Sequence, residues 1–198
     1  MAVEFDFEAA AQRLNGVLAA IPDDAMDAAT PCEGVSVAAL LDHVNGLTSG
    51  FVLVARKVVP PGASRPGAPN AENLPADWRT RIPAQLKELV EAWREPSAWE
   101  GMSEAGGVPL PTTVLARVAL DEVILHGWDL ARATGQPYDV PADEAETCIA
   151  LFAGLPTPDE DGPRPPQNAF GPPVPIADDA PALDRLVARS GRNPAWTP

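Results

Sequence analysis

Residues 111–135, PTTVLARVALDEVILHGWDLARATG, decide the fold, because they form the clearest helical pattern in the chain. Apolar residues recur there at intervals of three and four, which is the spacing of one face of an α-helix: Val114, Leu115, Val118, Leu125 and Leu130. Pro111 and Thr112 are suited to begin this helix, and Gly135 is suited to end it. On the same face Glu122 occupies a position where the pattern requires an apolar residue.

The same periodicity predicts three more long helices upstream, over residues 4–21, 36–57 and 80–95. Ser36 is a good N-cap for the second of them, and we place the start of the third at Thr80 or Arg81 because Pro83 is unfavourable inside a helix. Shorter helices are predicted at 142–153 and at 180–190, with Asp179 as the cap of the latter. Gly106 and Gly107 indicate a small hairpin within 97–110.

These elements predict an all-α protein: an antiparallel four-helix bundle with additional short C-terminal helices and a small hairpin, in a single domain over residues 1–198. Proline-rich segments at 58–76 and 156–175 are predicted to be long loops. A chain of 198 residues is of ordinary size for one domain.

Composition excludes several classes of function. The chain has 14 Lys and Arg against 28 Asp and Glu, a net charge of −14, which disfavours nucleic acid and anionic membranes as partners. Two cysteines do not make a disulfide framework, and the first residues, MAVEFDFEAA, lack the features of a signal peptide. No run of about 18 apolar residues is visible. We therefore expect a cytoplasmic protein.

The chain has only two histidines, and both fall on the apolar stripes of predicted helices. His43 lies between Leu40 and Leu47, while His126 follows Glu122 by four residues on the same side of its helix. A carboxylate on a buried stripe is costly unless it is paired or binds a metal. His43, Glu122 and His126 could therefore supply three ligands to a divalent cation and leave a fourth position open, as in catalytic sites.

Two simpler interpretations compete with the metal hypothesis. A lone histidine on an apolar helix face is usually a core residue, and residues four apart often form only a helix-surface pair. Spacing alone leaves these alternatives open. Asp129 is a candidate to orient a ligating imidazole or to make a capping hydrogen bond, whereas Cys32 and Cys148 are expected to be buried structural residues and Arg117 and Arg132 to form surface pairs.

Two motifs carry a family resemblance. Residues 30–44, TPCEGVSVAALLDHV, and residues 122–135, EVILHGWDLARATG, resemble the signatures T-P-C-x-G-W-(S/T)-V…L-x-x-H-V and (D/E)-x-x-x-H-x-W-D-L-A-x-A-x-G. The ends of the chain, FGPPVP at 170–175 and GRNPAW at 191–196, are similar to the tail of the same family. It is the mycothiol-dependent maleylpyruvate isomerase-like metal-binding family, within the DinB/YfiT-like four-helix bundles. Val35 departs from it by replacing the usual tryptophan.

The resemblance implies a divalent-metal site, commonly zinc with nickel as an alternative, whose ligands are His43, Glu122 and His126. It implies a thiol cosubstrate such as mycothiol, an electrophilic small-molecule substrate and a transferase or isomerase reaction, and it is compatible with a homodimer. The chain is too short for the further C-terminal domain of the isomerase itself, so that particular reaction is not implied. The alternative is a non-catalytic metal-binding protein, or a structural protein with a vestigial site, of the same fold.

Overall fold

The computed structural model of the chain describes residues 3–59, 67–154 and 171–198. The chain forms two compact units, Met1–Tyr138 and Asp139–Thr197. The expectation of one domain over residues 1–198 stays a prediction.

The first unit contains the four long helices: α1 (Glu8–Ala20), α2 (Val37–Ala55), α3 (Trp78–Arg94) and α4 (Thr112–Ala133). Helix α2 packs against α3 and α4, and α1 also packs against α3 and α4. Each helix therefore has at least two neighbours in the bundle. The prediction of an all-α four-helix bundle with extra short helices and a hairpin is confirmed.

The apolar stripes of the four helices form the core of this unit. Leu14 of α1, Leu41 of α2, Leu86 of α3 and Leu115 of α4 are all at most 1% exposed. Burial of a side chain of this size contributes about 1.5–3 kcal/mol each, which stabilises the helices far more than their intrinsic propensities do.

The helix boundaries differ from the predicted ones in two places. Helix α1 begins at Glu8 rather than near residue 4, and Asp6 Oδ1 accepts a hydrogen bond from the Glu8 N–H at this start. Helix α3 begins at Trp78, earlier than predicted, and contains Pro83 inside its span. Other predictions hold: Ser36 accepts a hydrogen bond from the Ala39 N–H and caps α2.

The predicted hairpin is present between α3 and α4. Strands β1 (Met102–Ala105) and β2 (Val108–Pro111) are antiparallel, with Ala105 opposite Val108. Gly106 and Gly107 form the two-residue turn with φ of 59° and 81°. Two consecutive positive φ angles suit a type I′ turn, in which glycine is strongly preferred.

The second unit contains α5 (Ala142–Gly154) and α6 (Ala182–Arg189), which pack against each other. An ion pair between Arg185 and Glu146 joins them. The predicted cap of α6 at Asp179 is wrong, since Pro181 precedes the helix and no side chain caps it. Of the predicted proline-rich loops, residues 60–66 and 156–170 lie outside the described residues.

Helix α2 is long and apolar enough to span a membrane, with a mean hydropathy of 1.4. Its 19 residues are nevertheless not an uninterrupted apolar run. In this fold 56% of the relevant window is buried within the protein. Asp42, His43 and Asn45 also interrupt the apolar pattern. These properties are those of a core helix in a bundle.

Candidate metal centre

Helix α2 positions the first candidate ligand, His43. Its neighbours on the stripe include Leu40, which is 1% exposed, and Val44, which is 2% exposed. The His43 side chain is 24% exposed, so it lies at the edge of the core and remains accessible to a small molecule.

Helix α4 presents the other two candidates one turn apart. The His126 Nε2 atom lies 2.8 Å from Glu122 Oε2, and the His43 Nε2 atom lies 4.0 Å from the same oxygen. The two imidazole rings meet at 86° with their centroids 5.0 Å apart. The structure therefore brings together all three side chains that the sequence singled out.

The donor set fits a divalent ion. One nitrogen from each histidine and one Glu122 oxygen all lie within 4.8 Å of one another. Zinc bonds of about 2.0–2.1 Å in a tetrahedral arrangement put two donors roughly 3.3 Å apart, between the 2.8 and 4.0 Å separations found here. Two imidazoles and one carboxylate are also the ligand types of many catalytic zinc sites.

Asp129 supports His126 from the side away from Glu122. Its Oδ2 atom lies 2.9 Å from the His126 Nδ1 atom, and the residue is completely buried. A carboxylate at this place holds the Nδ1 proton and directs the Nε2 lone pair toward Glu122 and His43, which is the usual arrangement of a metal-binding histidine.

Opposing effects set the pKa of His126. Burial lowers it, but hydrogen bonds with Asp129, Cys32 and Glu122, together with the negative charge of Glu122, raise the pKa well above its ordinary value. In the metal-free protein the raised pKa favours the form of His126 that carries protons on both ring nitrogens. A metal ion would have to displace the proton on Nε2.

Cys32 also reaches this cluster, which the sequence did not predict. Its Sγ atom lies 3.2 Å from Asp129 Oδ2, and the side chain is half-buried rather than fully buried as expected. The only available signal was its place in the T-P-C-E-G segment. Cys148 is fully buried in α5, as predicted, and within the described residues neither cysteine forms a disulfide.

A tight turn over residues 30–36 places Cys32. The Thr30 hydroxyl donates to the Val35 carbonyl at 2.8 Å and accepts from the Cys32 N–H at 3.2 Å. The Val35 N–H donates to the Cys32 carbonyl at 3.0 Å, and Gly34 has a φ of 74°, which favours glycine. The turn ends at Ser36, the cap of α2.

An apolar pocket adjoins the centre at Glu122. Seven further residues line it: Leu14, Val44, Leu47, Thr48, Phe51, Leu89 and Val123. Its enclosed space is only about 10 Å³, roughly what one water molecule occupies. The apolar lining therefore shows that Glu122 lies at the edge of the hydrophobic core, beside a crevice of about the size of one water molecule.

The arginine predictions have different outcomes. Arg117 pairs with Glu4 at 2.7 Å on the surface, as expected. The Arg132 guanidinium lies 5.5 Å from the ring centre of Trp128, which is 3% exposed and packs in the core. The structure thus gives Arg132 an aromatic contact, and the surface pairing expected from the sequence stays a prediction.

Comparisons with known proteins point to one family and one fold. The model of the mycothiol maleylpyruvate isomerase N-terminal domain family matches residues 7–131, which include all three candidate ligands. Two uncharacterized proteins of Mycobacterium tuberculosis, MT0763 of strain CDC 1551 and Rv0738 of strain H37Rv, are each 30% identical over 179 residues, covering 89% of this chain and 90% of their own length.

A crystal structure with the same fold is that of a histidine-to-alanine mutant of the mycothiol-dependent maleylpyruvate isomerase. The TM-score is 0.58 with 18% identity, over 74% of this chain. This chain spans 64% of the length of that protein.

Proposed function

Because the chain belongs to the mycothiol maleylpyruvate isomerase N-terminal domain family, we propose that it is a metal-dependent enzyme that uses a small thiol as cosubstrate. In this proposal His43, Glu122 and His126 bind a divalent ion, zinc being the first candidate. The observation that carries the proposal is the convergence of their three donor atoms within 4.8 Å, from two helices, at the edge of the core.

The reaction we propose is transfer of the thiol to an electrophile, or an isomerisation that passes through such an adduct. A divalent ion at this centre would lower the pKa of a thiol and so make a nucleophilic thiolate abundant at neutral pH. Mycothiol is the proposed thiol, since it is the one named in the family.

The residues of the centre have distinct parts in this scheme. Asp129 keeps the Nδ1 proton of His126 and fixes the orientation of the ring. Glu122 supplies one negative charge against the two positive charges of a divalent ion, so an anionic thiolate remains electrostatically favoured. The apolar side chains of Leu47 and Phe51 would limit the access of water to the centre on the Glu122 side.

Partial exposure of the centre favours catalysis over a purely structural role. The side chains of His43 and Glu122 are 24% and 17% exposed, so a small molecule can approach them from solvent. Structural zinc sites are usually closed by four protein ligands, whereas three protein ligands are typical of catalytic ones.

Elemental analysis tests the metal assignment. After purification with added zinc, we expect about one zinc per chain in the wild type and almost none in His43→Ala and His126→Ala. Glu88→Gln, which changes an exposed side chain of α3, is the control and is expected to retain zinc. Equal zinc in the wild type and in both histidine variants would contradict the assignment.

A transfer assay tests the activity separately. Zinc-loaded protein is incubated with mycothiol and an electrophile whose adduct is coloured or fluorescent, and the rate is compared with that of His126→Ala. A rate for zinc-loaded wild type equal to that of the variant, across several electrophiles, would favour the non-catalytic alternative.

A further inference from the structure

The turn over residues 30–36 has no part in the function proposed above, yet it contacts the metal centre. Cys32 Sγ lies 3.2 Å from Oδ2 of Asp129, which is 97 positions away in the chain. The same Oδ2 atom is 2.9 Å from the His126 Nδ1 atom. One carboxylate oxygen therefore joins the turn to a candidate ligand.

We propose that Cys32 is a positioning residue of the metal centre. Its thiol donates a hydrogen bond to Asp129 Oδ2 and thereby fixes the carboxylate that orients the His126 ring. The inference rests on the proposed function, since it concerns the affinity of this centre for its metal.

Burial increases the effect of losing the hydrogen bond between Cys32 and Asp129. Asp129 is completely buried and His126 is 6% exposed, so water does not readily replace a donor that is lost from the carboxylate. A buried carboxylate with one donor fewer is destabilised and can rotate toward another partner. Rotation of Asp129 would tilt the imidazole away from the direction in which Nε2 faces Glu122 and His43.

The turn also contacts both helices that carry the candidate ligands. Hydrogen bonds of Thr30 hold its shape, and it ends at Ser36, whose hydroxyl caps α2. His43 is carried by α2, whereas Asp129, Glu122 and His126 are carried by α4. Cys32 thus links the start of one ligand-bearing helix to a buried residue of the other.

The side chains of Cys32, Asp129 and His126 could alternatively form a second cation site. Donor atoms of Cys32, Asp129 and His126 also lie within 4.8 Å of one another. The geometry favours the positioning role, because a His126 Nδ1 atom that donates its proton to Asp129 has no lone pair for a second ion.

Zinc affinity measured by competition with a chromophoric chelator tests the proposal. We expect Cys32→Ala to bind zinc about tenfold more weakly than the wild type, a loss typical of residues that support a ligand. Cys32→Val, which cannot donate a hydrogen bond, is expected to match it, so the test does not depend on one variant folding. Cys32→Ser retains a donor and is expected to recover most of the affinity. Cys148→Ala, which removes the other thiol, is the control and is expected to bind like the wild type.

Two further measurements separate positioning from other roles. In an Asp129→Asn background, Cys32→Ala is expected to cause a smaller loss of affinity than in the wild type, because the part of its effect that acts through the Asp129 carboxylate is already lost, while the hydrogen bond of Cys32 with His126 is lost in both backgrounds. With Co²⁺ in place of zinc, the wild type is expected to show one ion per chain and no thiolate-to-cobalt charge-transfer band.

The outcomes that overturn the proposal are distinct from failure of the proposed function. Wild-type affinity in folded Cys32→Ala and Cys32→Val would overturn the positioning role alone. A charge-transfer band that disappears in Cys32→Ser would show Cys32 as a ligand and would also overturn it. A wild type that binds no divalent ion would overturn the metal centre itself and this inference with it.

Discussion

The imidazole rings of His43 and His126, which are the only histidines of the chain, meet edge to face with centroids 5.0 Å apart. Glu122 lies beside both rings, at 4.0 Å from one Nε2 atom and 2.8 Å from the other. The pair belongs to α2 and α4, so the packing of these two helices determines the geometry of the centre.

Replacing Glu122 by glutamine keeps the size of the side chain and removes its charge. Because that charge helps to raise the pKa of His126, we expect the pKa to fall in metal-free Glu122→Gln. Zinc affinity should fall by more than the roughly 10- to 100-fold loss typical of a supporting residue. NMR titration measures the pKa directly, since the chain gives only two imidazole signals. An unchanged His126 pKa would contradict the prediction, and Glu88→Gln is the control for the loss of a carboxylate elsewhere.

The metal-free protein is expected to lose stability as pH rises from neutral to alkaline. The pKa of His126 is raised in the folded state, so its contribution is complete below the unfolded pKa of about 6.5 and disappears as pH passes the folded pKa. The slope between the two pKa values is at most about 1.4 kcal/mol per pH unit. Thermal unfolding in the presence of a chelator checks this trend.

Zinc binding should have the opposite pH dependence. Because the ion displaces a proton from His126, zinc affinity is expected to increase with pH up to the folded pKa of this residue. Metal-free and zinc-loaded unfolding curves should therefore diverge as pH rises. Parallel curves would indicate that the ion binds without displacing this proton.

Crowding the approach to Glu122 should reduce turnover and leave the metal in place. Leu47 lines the pocket and is half-buried, so the larger side chain of Leu47→Trp is expected to project outward and crowd the approach to Glu122. Transfer rates should fall at least several-fold while zinc content stays near that of the wild type. Leu53→Trp is the matched control, because Leu53 is a half-buried residue of α2 that is not among those lining the pocket. Equal effects of the two changes would contradict the assignment of the pocket.

Pro83 is expected to lower the free energy of unfolding of the protein because of its position inside α3. It lies inside α3, beyond the first turn, so its missing N–H removes one helical hydrogen bond. Pro83→Ala should stabilise the protein by about 1–3 kcal/mol, measured by denaturant unfolding. Pro75→Ala, three residues before α3, is the control and should not stabilise the protein, because alanine there only increases the freedom of the unfolded chain. A Pro83→Ala variant no more stable than the wild type would contradict the expected cost.

Sequence periodicity was sufficient for the bundle and for placing His43, Glu122 and His126 on inward stripes, but it does not fix their heights along the helices, so the expectation that the three meet came from the family resemblance. That these three bind metal stays a prediction. The contact between Cys32 and Asp129 was not predictable, since it depends on how a turn outside any helix approaches α4. The early start of α3 was missed because local propensity, which disfavours Pro83, was outweighed by burial of Trp78 and Ile82.

Two imidazoles and one carboxylate are donors of intermediate hardness, and such a set ranks first-row ions by the Irving–Williams order rather than singling out zinc. Copper would then bind more tightly than zinc whenever both are offered equally. An ion bound at the proposed centre would consequently be decided by metal supply and buffering in the cell, and protein from hosts grown on different metals is expected to carry different ions.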